Sequence, residues 1–162
     1  MTTAAPIRIA DEVVKAINAH DFAFGDFTAV RSSGSWDEDF KGLTDMSVDV
    51  VYRKNGNAIN LLTVTTMSHD AWIVIAVRKR FSPLERDTQT SEVATSAVDP
   101  LDTLVTDIAK FFITNRNSLF ADVPEITFET DEIKPMLGNE SKLRKGLYYG
   151  LVQIPFSLRE NI

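Results

Sequence analysis

The chain has 162 residues, 44% of them hydrophobic and 25% charged, with a formal net charge of −6 and no cysteine. That length fits one domain spanning residues 1–162, and the lack of cysteine excludes disulfides, thiolate metal sites and cysteine nucleophiles. The acidic balance argues against gripping nucleic acid by its phosphates, and no apolar run approaches the roughly 20 residues that cross a bilayer.

The first ten residues lack the charged start and apolar block of a secretory signal, so a soluble product made in the cytoplasm is expected. Ala10, Val13, Val14 and Ile17 recur at helical spacing, with Asp11, Glu12, Lys15 and Asn18 between them. This spacing predicts an amphipathic helix over about 7–19, with Pro6 in its first turn and His20 at its end. Phe22 and Phe24, around a glycine break, are expected to lock that helix to the sheet, ahead of a short strand at 28–31.

Residues 32–45 read as a loop. Its Asp37, Glu38 and Asp39 have no regular ligand spacing for a hard cation, which favours a solvated acidic loop. Trp36 and Phe40 in the same loop either fold back as a plug or wait for a partner.

From Met46 to Arg53 apolar and polar residues alternate, with Met46, Val48, Val50 and Tyr52 sharing a face, as in a half-buried strand. Asn55-Gly56-Asn57 signals a reversal into a strand over 59–66. A second reversal at 67–70 then leads to Ala71–Val77, a short, uninterrupted apolar run that predicts a central strand buried on both faces. Residues 46–80 thus read as a three-stranded antiparallel meander. His69 beside Asp70 reads as a turn histidine, since adjacent residues orient one another poorly and no Gly-x-Ser-x-Gly motif supplies a nucleophile.

Residues 81–98 form a long polar stretch without periodicity, containing Glu85, Arg86, Asp87 and Glu92. Loops this long in compact domains commonly bind something, which makes this segment a candidate contact arm. Asp99-Pro100 reads as the N-cap and first residue of a second helix, with Leu101, Leu104, Val105, Ile108 and Phe112 facing the core as far as Thr114. A strand follows at 126–129. Next comes a mixed loop at 131–146 containing Lys142, Arg144 and Lys145, and then a final strand at 147–158 in which Pro155 implies an edge or a bulge. Residues 81–132 hold eleven acids and three bases, and 134–145 hold four bases and one acid. Head-to-tail subunit contacts can use such a split, and a solvated loop explains it equally well.

The expected fold is therefore α+β: an antiparallel sheet, made of the meander plus N- and C-terminal strands, with two helices on one face. The order of segments resembles the tail-completion and tail-terminator (neck) proteins of long-tailed bacteriophages. The resemblance rests on Ile9–Asn18, Trp72–Lys79 and Asp99–Phe112 leading to a closing apolar strand. It implies a structural virion protein without catalytic residues, metal or cofactor, made in the host cytoplasm and assembled as a homohexameric ring at the head–tail junction. Such a ring would contact the tail tube protein and the head–tail connector, and DNA would pass through its lumen without specific binding. The candidate subunit contacts are Trp36, Phe40, Glu85, Arg86, Asp87, Glu92, Lys142, Arg144 and Lys145. A head-side neck adaptor is the neighbouring alternative. A small metal-dependent hydrolase and a regulatory ligand-binding domain are the alternatives from other classes, and the chain has no Gly-rich phosphate loop for the latter.

Overall fold

The computed structural model describes residues 3–43, 45–87, 89–90 and 92–162. Met1 and Thr2, together with Thr44, Thr88 and Ser91 from the two expected loops, lie outside that description. The order of elements is α1 (Ala5–Asn18), β1 (Ala29–Arg31), β2 (Met46–Tyr52), β3 (Ala58–Thr63), β4 (Thr66–Arg80), a 3₁₀ turn (Pro83–Glu85), α2 (Thr95–Thr114), β5 (Ile126–Phe128), β6 (Lys134–Met136), α3 (Glu140–Arg144) and β7 (Leu147–Asn161). Among the described residues, seven strands form one mixed, mostly antiparallel sheet, in which only the β1–β2 pair is parallel.

The centre of the sheet is the pairing of β4 with β7. Each strand has 15 residues, and they are in register from Thr66 opposite Asn161 to Arg80 opposite Leu147. β4 is longer than the apolar run 71–77 because its polar ends, Thr66–Asp70 and Arg78–Arg80, continue the ladders with β2, β3 and β7, and hydrophobicity does not mark positions covered by polar side chains such as Ser68 and Arg78.

The meander is not formed. β2 and β3 do not pair with each other; they lie end to end along the same edge of β4, β2 opposite residues 73–79 and β3 opposite 66–70. Asn55-Gly56-Asn57 therefore makes a bulge rather than a reversal. Its positive-φ residue, Gly56 at +79°, lets the chain swell outward and rejoin the same edge. The true hairpin turn is at Val64-Thr65, which puts His69 within β4, near its start, and not in a turn. There its Nε2 lies 2.7 Å from the Glu160 carboxylate of β7.

Pro155 is also placed differently from expectation, since β7 is central, with β4 on one side and β5 and β6 on the other. The Pro155 carbonyl accepts from the Glu129 amide where β5 ends, so the missing N–H faces that same side, and proline forgoes only the return bond to Glu129 at the end of the β5 ladder. The 131–146 stretch supplies β6 and α3 rather than a plain loop.

Both α1 and α2 pack on the face carrying Val48, Val50, Ile73, Ile75, Val77, Val152, Ile154 and Phe156, and together they make one hydrophobic cluster. Phe112, Phe120, Phe128 and Phe156 interlock edge to face or tilted within it, with ring centroids 5.2–6.5 Å apart. Phe22 joins helix to helix by its contact with Phe111, whereas Phe24 is exposed. The end of α1 is tied to the sheet by Asn18, whose side-chain amide bonds both the amide and the carbonyl of Ala29.

α2 begins at Thr95, a turn before Asp99, because Ala97 and Val98 also pack against the core. Pro100 is consequently inside the helix, where it leaves the Ser96 carbonyl without its usual donor on an exposed face. Ile108 is wholly buried, and Ile108→Ala is expected to lower stability by about 2–5 kcal/mol in urea unfolding.

Candidate functional site

The face of the sheet opposite the helices is covered over part of its area only, and the cover is made by the residues that the sequence offers as partner contacts. Asp49 and Arg78, on the polar faces of β2 and β4, are both buried, and Arg78 Nε donates to Asp49 Oδ2 at 3.0 Å. The same carboxylate oxygen accepts from the Ser47 hydroxyl at 2.7 Å. The Arg78 guanidinium then faces the rings of Trp36 and Phe40, 4.3 and 5.2 Å from their centroids. Tyr149 meets both rings from the side, and burial raises its phenol pKa. Trp36 and Phe40 thus form a plug, with Phe40 buried in a left-handed conformation at φ +52°.

The acidic and basic segments flagged in the sequence bind one another. Asn139 caps α3, its side chain accepting from the amides of Ser141 and Lys142. From that helix Lys142 donates to the Glu38 carbonyl at 2.9 Å, Lys145 at its C-cap pairs with the Glu38 carboxylate at 3.5 Å, and Arg144 pairs with Glu140 at 3.2 Å. Lys142 also lies over the Phe40 ring. The loop from Trp36 to Phe40, α3 and the buried Arg78–Asp49 pair make one lid on this face.

The described residues of 81–98 are folded as well, unlike the structureless arm expected. Glu85 accepts from Lys79 Nζ and from the Ser82 amide, both at 3.0 Å, and the Ser82 amide leads the causes that hold its carboxyl below the usual value. Asp87 is exposed and accepts from the amides of Gln89 and Thr90; the Thr90 amide is the larger cause of its lowered pKa. Arg86 and Val93 form an isolated bridge, and the Glu92 carbonyl accepts from the Asp87 amide. Glu92 is exposed. Arg86 turns inward over Gly146 and donates to the Lys145 carbonyl at 3.3 Å. Gly146 sits at φ +76°, which strains any residue with a Cβ, and the Arg86 guanidinium occupies the space that a Cβ would take.

A third polar group, missed in the sequence, joins Asp102 of α2 to Tyr148 of β7 and to the Gly138 amide, at 2.6 and 2.9 Å. Burial and this carboxylate keep the phenol protonated far above its ordinary range. Among the described residues, no three His, Asp or Glu side chains converge as a metal site would need, and no helix is long and apolar enough to cross a membrane. His20 stacks on Phe111 at 4.3 Å, and His69 Nε2 lies 2.7 Å from the Glu160 carboxylate.

The only clue in the sequence to the Arg78–Asp49 pair was a charge on the polar face of each strand; their meeting depends on the β2–β4 register. The chain matches no family model and no curated protein.

The chemistry of these groups is that of mutual restraint, which gives two expectations. Arg78→Ala, leaving Asp49 buried and unpaired, is expected to cost about 3–5 kcal/mol, whereas Arg78→Met with Asp49→Leu is expected to be near neutral by the same denaturation assay. Because the folded pKa of Glu85 is depressed, its contribution is complete above the unfolded value of 4.5 and is lost as pH falls through the lower folded value. Glu85→Gln is therefore expected to lower stability at neutral pH and to flatten its fall on the acid side in pH-dependent melting.

Proposed function

We propose that this protein is a structural subunit of a long-tailed phage, forming a ring at the head-proximal end of the tail as a terminator or completion protein. The observation that supports this most is β3. All six of its residues are exposed, with Ile59 at 68% and Leu61 at 67% of full accessibility, and Val64 at the hairpin tip reaches 90%. A hydrophobic edge strand left bare is a liability in a monomer, which natural proteins cover or guard. In a ring subunit it is a contact surface.

The polar groups support the same reading, because each conspicuous cluster holds one segment of the chain to another and leaves none poised for a reaction. The net charge of −6, repeated around a ring, would give a lumen that lets DNA slide. Light scattering of the purified protein followed by negative-stain imaging tests the proposal. A closed ring of subunits is expected, and a monomer at every concentration would overturn it.

A further inference from the structure

The sheet has two flanks with an edge strand paired on one side, and they differ in backbone donors and in charge. On one flank β3 pairs only with β4, so its outer row of amides and carbonyls has no strand beside it. From Ala58 to Val64 it has neither a charge nor a proline, the usual guards of an edge. The bulge just before it carries exposed Arg53 and Lys54, with no acid between residues 53 and 64.

On the opposite flank, β6 pairs only with β7. Odd-numbered residues of β7 turn their backbone groups to this side, as the bonds from the Asn139 amide to Tyr149 and from the Glu129 amide to Pro155 show. Pro135, opposite the even-numbered Val152, therefore faces outward and offers a carbonyl without a donor. Met136 and Leu137 are exposed at 54% and 48%, and the approach to β6 carries exposed Glu129, Asp131 and Glu132. Glu129 is paired with Arg116 at 3.4 Å and Lys134 of β6 is itself exposed, so the acids of this approach without an ion pair among the described residues are Asp131 and Glu132. One flank is thus apolar and basic, the other apolar with an acidic approach.

We infer that the β3 flank is covered by the β5–β6 flank of a second copy of this chain, in a head-to-tail contact. The inference rests on the ring reading above and names its interface. Pairing β3 with β3 would bring no acid to Arg53 and Lys54, whereas the opposite flank brings Asp131 and Glu132. It would also close a twofold dimer, while unlike flanks on opposite sides of one sheet repeat from copy to copy and close only as a ring. Since Pro135 withholds a donor, side-chain packing of Ile59 and Leu61 on Met136 and Leu137 carries the contact, and the charges set its direction.

The absence of native cysteine makes a clean test. Leu61→Cys, Met136→Cys and the double variant are treated with a short bismaleimide, with circular dichroism confirming that each is folded. Only the double variant is expected to give a covalent ladder beyond the dimer. A cross-linked dimer from Leu61→Cys alone would overturn the inference in favour of twofold pairing. An unmodified ring whose double variant gives no ladder would overturn this interface and leave the ring reading standing, and a protein monomeric at all concentrations would end both. As a second arm, Arg53→Glu with Lys54→Glu is expected to weaken assembly about tenfold or more, and adding Asp131→Lys with Glu132→Lys to restore it. Failure of that restoration in folded variants would likewise count against the contact.

Discussion

The pairing of β4 with β7 is the constraint on which the other elements depend. It fixes which side chains of two 15-residue strands share each face, because strand register leaves no intermediate choice. One face becomes a continuous apolar floor for α1 and α2. The other is forced to carry Arg78, Tyr149, Trp72 and Gln153, a mixture that neither helix can cover. The remaining architecture follows from these two surfaces: the helices close the first, and the lid of loop and α3 closes the end of the second where a buried guanidinium needs company.

That lid shows how charge and aromatic surface work together in a small protein. Arg78 could not stay buried on the strength of Asp49 alone, since taking an ion pair out of water costs more than poor geometry repays. The aromatic plug supplies faces for the cation, and the plug is in turn pinned by Lys142 and Lys145 through Glu38. The acidic loop and the basic helix therefore explain each other, without any outside ligand. The bare edge at β3 has no such internal explanation, which is why it points outward to assembly.

What the sequence disclosed was what periodicity can disclose. The stripe Ala10, Val13, Ile17 and the stripe Leu101, Leu104, Val105, Ile108 are sufficient to place two core helices, and Ala71–Val77 is sufficient to mark the centre of the sheet. Strand partnership was not legible. Asn55-Gly56-Asn57 has the chemistry of a hairpin turn and of a bulge alike, because both need only a residue that tolerates positive φ, and nothing nearby distinguishes them. The start of α2 was misplaced because Asp99-Pro100 is a sound local cap that loses to the burial of Ala97 and Val98. Arg78 with Asp49, and Asp102 with Tyr148, are tertiary meetings, invisible until register and helix packing bring the partners together. β3 shows another gap: a strand is expected over 59–66 and one forms at Ala58–Thr63, but nothing in its leucines and isoleucine tells that they stay on the surface.

The long β4–β7 ladder also has a consequence in time. β4 forms its hairpin with β3 locally, but its other edge waits until α2, β5, β6 and α3 have all passed, so the central pair closes across a large intervening loop. Non-local strand pairing is slow because the loop must lose its freedom before the contacts repay it. During that interval the apolar faces of β4 and the edge that β7 will occupy are open together, alongside the β3 edge that never closes within one chain. Folding and non-specific association then compete for the same kind of surface, so the yield of folded chains should depend on how quickly β7 docks relative to the rate at which unfinished chains meet.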